Sequence, residues 1–275
     1  MCRIRFFTLI FLALLCLGLT SCQDKSPLPF SFAEDESCRI ISIEEWENEL
    51  WNKAVVSYTA DGFLEAIEMT VGSVQPRVYR YQPKYDRQRL VKLSVTLDRQ
   101  FDHDLYLDYE NDALVKVTRR GRSGSDVVYN LPRDEQGRVT GNESQYDDRA
   151  GNRLLRFARQ YTYGTDDDLS HVRLMGQESR ENWIVYPSAV PNKLKENVLL
   201  YILTDFYTLF DTFSHANALP DSVQLENIAH FDFVATNVYR YDLNAQGFPE
   251  TIDWDHFDNP QHTPHWQLRF SYDCD

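Results

Sequence analysis

The chain has 275 residues, 28 Lys+Arg against 42 Asp+Glu, 5 cysteines and 13% aromatic residues. A formal net charge of −14 opposes binding to nucleic acid, whose affinity rests on cations that neutralise phosphate, and to an anionic lipid surface. Cations, glycans and basic proteins remain as partners, and the same negative charge keeps an exported protein soluble.

In chain order the first element is a leader. Arg3 and Arg5 precede an uncharged apolar run of 14 residues from Phe6 to Leu19, and small residues follow up to Cys22. This is the pattern of a cleaved export signal, and the run is too short to span a bilayer with ease. An uncleaved anchor or a buried core helix is the competing reading. Leu19-Thr20-Ser21-Cys22 resembles the lipobox of bacterial lipoproteins, in which the cysteine is lipidated and becomes the first mature residue. The resemblance implies a signal peptide over 1–21, a lipid on Cys22 and attachment to the outer membrane or cell surface through it. Loss of two arginines and no acid takes the net charge from −14 to −16. Cys2 and Cys16 leave with the signal, so Cys38 and Cys274 remain as either one disulfide, suited to an oxidising compartment, or two separate thiols.

Residues 22–37 are polar, with Pro27, Pro29 and Glu34-Asp35-Glu36, and read as a flexible tether. From Cys38 to Asp275 no linker-like break appears, so 38–275 is expected to be one domain. Within it a motif recurs: a strand ending in tyrosine, a turn with Asp, Asn or Gly, then an apolar pair three or four apart. The copies begin at Tyr58, Tyr79, Tyr109, Tyr129, Tyr161 and Tyr239. Asp, Asn and Gly tolerate the positive φ of tight turns, and Tyr and β-branched residues suit a pleated, half-buried surface, so each copy predicts a β-hairpin. Over Leu90–Leu97, Val91, Leu93, Val95 and Leu97 are expected on the buried face and Lys92, Ser94 and Thr96 on the wet one. The gap before the last copy holds a different pattern. Leu194, Val198, Ile202, Phe206, Leu209 and Phe213 recur at helical spacing after Pro191, predicting one amphipathic helix over 192–213 that plugs or caps the sheet. The fold class expected is mainly β: a curved antiparallel meander sheet, or a soluble barrel of repeated hairpins, with one late amphipathic helix.

Tyr239-Arg240-Tyr241-Asp242 with Gly247 resembles the tyrosine-aspartate hairpin repeats of bacterial shell proteins, although count and consensus depart from that family. The combination of a lipobox, a first strand Cys38-Arg39-Ile40-Ile41-Ser42-Ile43, tyrosine-rich hairpins and a late helix is more similar to lipoproteins of Gram-negative gut-type bacteria. That resemblance implies a porin-like antiparallel fold and brings no catalytic residues. Porin-like does not imply a pore: a membrane barrel needs an uncharged band facing lipid, whereas Arg80, Lys92, Asp108, Lys116 and Arg240 leave one apolar side per strand, which must be the core.

Candidate chemistry is sparse. Asp255, His256 and Asp258, with His262 and His265, are rich enough in carboxylate and imidazole to hold a cation. His256 and His262, however, have no zinc-type spacing, and Asn259-Pro260 marks an irregular loop. Asp166-Asp167-Asp168 reads as a solvated turn, since no calcium-loop pattern follows. Gly121-Arg122-Ser123-Gly124-Ser125 lacks the Lys and the helix of a phosphate loop and reads as a hairpin tip. No Gly-x-Ser-x-Gly is present. Trp46 and Trp51 are among the aromatics, and Trp183, Trp254 and Trp266 are the candidates for stacking on a sugar, against the commoner role of cross-strand packing. No cofactor and no metal is expected. The reading favoured is a lipid-anchored, non-enzymatic binding or scaffold module for a glycan or an envelope protein. A surface hydrolase acting on polysaccharide or peptide, and a structural component of an envelope complex, are the alternatives.

Overall fold

The computed structural model describes residues 38–47, 49–121, 126–147, 153–176, 180–195, 197–203, 213, 215–227, 234–257 and 265–274. The predicted signal peptide (1–21), Cys22 and the tether (22–37) lie outside the described residues. Sixteen strands run in sequence: β1 (Cys38–Glu47), β2 (Glu49–Tyr58), β3 (Leu64–Val71), β4 (Arg77–Asp86), β5 (Arg89–Leu97) and β6 (Gln100–Glu110). Next come β7 (Ala113–Gly121), β8 (Asp126–Asn130), β9 (Gly141–Asp147), β10 (Arg153–Tyr163), β11 (Leu169–Gly176) and β12 (Arg180–Pro191). A helix α1 (Val198–Leu203) separates them from β13 (Ala218–Asn227), β14 (Val234–Leu243), β15 (Pro249–Phe257) and β16 (His265–Cys274). Each strand pairs antiparallel with its neighbours in sequence, and β1 pairs with β16, so the meander closes into a barrel. Of the two architectures expected, the closed one is formed.

The up-and-down order puts every second connection at the same end. All six hairpin copies turn there, at β2–β3, β4–β5, β6–β7, β8–β9, β10–β11 and β14–β15. The β12–β13 connection stands where a seventh turn would be, and at the eighth position Cys38 and Cys274 face each other in register and are joined by a disulfide across 236 residues of sequence. Four of the turns share one backbone pattern. The first residue (Thr59, Asp134, Gly164 or Asn244) accepts from the amide of the fourth, and that fourth residue (Gly62, Gly137, Asp167 or Gly247) has positive φ, which glycine adopts without steric cost. In the β4–β5 and β6–β7 turns two consecutive residues, Arg87-Gln88 and Asn111-Asp112, have positive φ, the geometry that matches the twist of the flanking strands.

Just past five of these turns the ladder carries a bulge. Tyr58 faces Leu64 while Ser57 faces Ala66, leaving Glu65 over. Val91, Val115, Ser170 and Glu250 are left over in the same way. The bulge shifts the phase of alternation by one residue. Leu90 is therefore turned inward, at 0% exposure, with Leu93 and Val95, and Val91, expected on the buried face, is the displaced residue. In four of the copies the pair spaced by three (Leu64 and Ile67, Leu90 and Leu93, Leu114 and Val117, Leu169 and Val172) is two inward positions with a bulged residue between them.

The repeated tyrosine has a second task at this end. The hydroxyl of Tyr58 donates to Ile40 O (3.0 Å), Tyr85 to Leu64 O (3.0 Å), Tyr163 to Val139 O (2.7 Å), Tyr241 to Pro220 O and Tyr272 to Pro249 O (2.8 Å). In four of the five the accepting carbonyl immediately precedes a displaced residue (Ile41, Glu65, Asp221 or Glu250). A bulge takes backbone groups out of the ladder, and the phenol replaces the lost donor. Burial raises all of these phenols for which a shift is resolved, Tyr85 to about 12, so they remain donors at any physiological pH.

Outer-wall side chains have nothing above them, so residues near zero exposure face the lumen. Ile43, Ala54, Ile67, Met69, Leu93, Val172 and Ile252 do so. The β12–β13 connection enters from the hairpin end: Leu194, Leu199, Leu200, Leu203, Phe213 and Ala216 are all buried. Phe213 packs edge-on against Tyr239 (5.8 Å) and Tyr241, and His215 against Tyr161 (4.2 Å). Burial, with Arg133, Arg159 and Lys195 nearby, holds the His215 imidazole down to about 3. The plug is thus present, but it is not one helix over 192–213. Asn192 Oδ1 accepts from the Leu194 amide, and Asn197 Oδ1 accepts from the Leu199 amide (3.0 Å) and caps α1. The described helix covers six residues, with Phe213 also helical; 204–212 lie outside the described residues.

Candidate functional site at the open end of the barrel

The end opposite the hairpin turns is built differently. Inward-facing residues in register with the core, among them Val71, Tyr79, Leu97, Trp183, Asn237, His256 and Trp266, are only half-buried there. Solvent therefore reaches this part of the lumen. Three neighbouring strands contribute an aromatic ladder to its wall. Tyr239 on β14 lies opposite Trp254 on β15, and Trp254 opposite Trp266 on β16. The indoles of Trp254 and Trp266 are nearly parallel (10°) with centroids 6.0 Å apart, and Tyr239 is 6.4 Å from Trp254. Polar groups flank the ladder: the Nδ1–H of His256 donates to Asn237 Oδ1 (2.6 Å), and Asn237 Nδ2 donates to the Tyr239 hydroxyl (3.3 Å).

Beside it, on β1 and β2, Glu45 and Asn52 face each other in register, and Asn52 Nδ2 donates to Glu45 Oε2 (2.5 Å). Leu268, the residue on β16 opposite Glu45, is buried, and Trp266 is two residues away from it on the same face. Burial raises the Glu45 carboxyl above its usual range, the Asn52 bond opposes that, and Glu47 adds to it. Asn52 is 4% exposed and its Oδ1 has no hydrogen-bond donor. Among the described residues no cation pairs with Glu45.

The candidates read from sequence are dispersed by this geometry. Trp183, Trp254 and Trp266 all face the lumen, Trp183 between Val172 and Leu225 and away from the ladder. Trp46 stands on the outer wall beneath Arg269 (4.7 Å), and Trp51 is exposed. Asp255 and His256 are consecutive in a strand and point to opposite faces. Outside, Asp255 takes Arg240 (2.6 Å) and His265 Nδ1 (3.0 Å), and His265 Nε2 reaches Asp253 (3.3 Å); the Arg240 bond and the His265 bond hold the Asp255 carboxyl below its usual range. Asp258 and His262 lie outside the described residues. Among the described residues no group of three or more His, Cys, Asp or Glu is arranged to hold a metal ion. Asp168 Oδ1 accepts from the Ala218 amide (2.8 Å), so part of the aspartate run ties a turn to the end of the plug.

The fold has a solved counterpart. A porin-like protein from Bacteroides uniformis is 12% identical, with 85% of this chain and 96% of that chain covered and a TM-score of 0.57. A porin-like protein from Bacteroides vulgatus is 14% identical over 85% of this chain and 98% of that one, with a TM-score of 0.40. No family model matches the chain, and no curated protein matches it. The first likeness establishes the antiparallel barrel fold. The outer wall is charged: Lys53–Glu44 (2.7 Å), Lys92–Asp104 (2.8 Å), Lys116–Asp108 (2.6 Å) and Arg120–Asp126 (2.9 Å) lie on it. Such a wall is the opposite of the apolar band that faces lipid in a membrane barrel.

Glu45 and Asn52 were not singled out from sequence. A signal for Asn52 exists, since it shares the phase of inward Ala54 and Val56 on β2. For Glu45 the bulge at Ile41 hides the phase that links it to Cys38 and Ile40.

Proposed function

We propose that the protein is held at the outer membrane or cell surface by a lipid on Cys22, and that its barrel is a non-enzymatic binding module whose open end takes a saccharide. The half-buried Trp266, stacked on the buried Trp254 at the solvent-reached end of the lumen, carries this reading. Apolar sugar faces stack on aromatic rings, while amide and imidazole groups such as Asn237 and His256 bond hydroxyls. The location is supported by the leader and lipobox pattern and by a disulfide, which suits an oxidising compartment. The charged outer wall favours attachment by lipid over insertion. Screening residues 22–275 against glycan and envelope-protein arrays should yield a saturable glycan ligand whose binding is lost in Trp266→Ala; a screen without one overturns the reading. Fatty-acid labelling should mark the wild type and not Cys22→Ala.

Glu45 favours a second reading, a surface hydrolase acting on polysaccharide. A carboxyl whose burial favours the protonated form, set in the inner wall beside Asn52, has the environment of a general acid. Release of sugar by the wild type, abolished in Glu45→Gln while binding persists, would establish it.

A further inference from the structure

Glu45 and Asn52 sit directly above apolar neighbours of the same inward face. Ile43 and Ala54, each two residues further into the barrel on the same face, are fully buried, as is Leu268 opposite Glu45. Packing alone would be served by leucine or methionine at both places, because a buried carboxylate without a cation is costly. The donor and acceptor inventory shows what is missing. An ionised Glu45 only accepts; its Oε2 takes the Asn52 amide. The Asn52 carbonyl oxygen accepts as well, and it is buried with no donor. The pair therefore holds an unspent acceptor and a carboxyl side by side in the inner wall, and a group made of donors would satisfy both. An ammonium supplies three N–H bonds and the compensating charge.

The ladder restricts what carries that ammonium. Trp266 is diagonal to Glu45 across Leu268 on the same inward face, so a ring stacked on the indole brings its substituents toward the carboxyl. The chain's net charge of −14 raises the local concentration of cations. We propose that Glu45 and Asn52 form a subsite for the primary ammonium of an amino sugar, so that the ligand of the open end is a saccharide with free, unacetylated amines. The proposal rests on the saccharide reading of that end and narrows it.

Titration calorimetry with a glucosamine hexamer and with an N-acetylglucosamine hexamer, on the whole mature chain at one ionic strength, separates the two. The amine oligomer should bind tighter by about tenfold or more, the scale of one charge-assisted bond. Glu45→Gln, nearly isosteric, and Asn52→Ala should each remove that preference and leave the acetylated oligomer within about twofold, while Trp266→Ala weakens both. A thermal unfolding transition retained in each variant shows that it is folded. Equal affinities in the wild type, or a preference that survives Glu45→Gln, overturn the ammonium subsite, and the saccharide reading stands if Trp266→Ala still abolishes binding. Binding of spermine or of a lysine peptide with no binding of either oligosaccharide overturns both.

Discussion

The two ends of the barrel use the same strands to opposite purposes. At the hairpin end several tyrosine hydroxyls are spent on backbone carbonyls, buried residues of the β12–β13 connection pack into the lumen, and a disulfide closes the β1–β16 seam. At the other end inward side chains are half-buried, two indoles lie in the wall, and a carboxyl and an amide carry unspent acceptors. Sixteen strands make a barrel too wide for its own side chains to fill throughout. A stable domain then needs one end packed by additional chain, and the described residues between Pro191 and Ala218, Leu194, Leu199, Leu200, Leu203 and Phe213 among them, supply it. Stability is thus concentrated where the turns are, which leaves the open end free to hold polar groups that cost stability.

That contrast predicts a ranking of effects. Replacing Cys38 and Cys274 by serine should be the most severe, because the bond closes a loop with a sequence separation of 236 residues; the chain-entropy account gives about 5 kcal/mol, read as a fall in the urea midpoint. Phe213→Ala should follow, at about 3 to 5 kcal/mol for an aromatic lost from a packed core; an unchanged midpoint would mean that the plug does not support the barrel. Tyr85→Phe and Tyr272→Phe should each cost about 1 kcal/mol, one hydrogen bond, and add in the double variant because their partners are distinct. Tyr186→Phe, exposed on the outer wall, should cost nothing measurable. Equal effects of all three tyrosines would show that the hydroxyls at the hairpin end carry no special load.

The hairpin end was legible because its signals are local. Tyrosine, turn residue and the apolar pair spaced by three lie within about fifteen residues of each other, and all six copies fold as the hairpins they predict. Legibility failed wherever the ladder and the sequence count differently. Val91 is in phase with Leu93 by counting, yet one displaced residue after the turn puts Leu90 inside instead. In the plug, leucines at helical spacing did not distinguish one long helix from a segment buried on several sides, and a turn at Asn192 followed by the Asn197 cap starts α1 later than the apolar pattern begins. Closure depended on β1 meeting β16, a contact between the chain's extremes whose trace in sequence was the pair Cys38 and Cys274. The open-end site was the least legible part. Its ladder joins residues on three strands, and the metal candidates Asp255 and His256, adjacent in sequence, are separated by the wall itself.

One further effect is expected with the opposite sign. Desolvation raises the folded-state carboxyl of Glu45 above its unfolded value, so between those two values the folded chain binds more protons than the unfolded one. Stability contributed by this group is then fully present below the unfolded carboxyl range, declines as pH rises through the window, and is lost above the folded value. The charged form of Glu45 is therefore the one that burial penalises, and Glu45→Gln, which keeps the shape and the contact with Asn52 but removes the charge, should raise the melting temperature at pH 7, read by thermal unfolding beside the wild type. The advantage should shrink as pH falls and vanish below the ordinary carboxylate range, where the wild-type side chain is neutral in both states. A Gln variant less stable than wild type at pH 7 would mean that the carboxylate is compensated in the folded chain, and the contrast between a plugged end and an open end that retains a costly charge would fail at the residue that defines it.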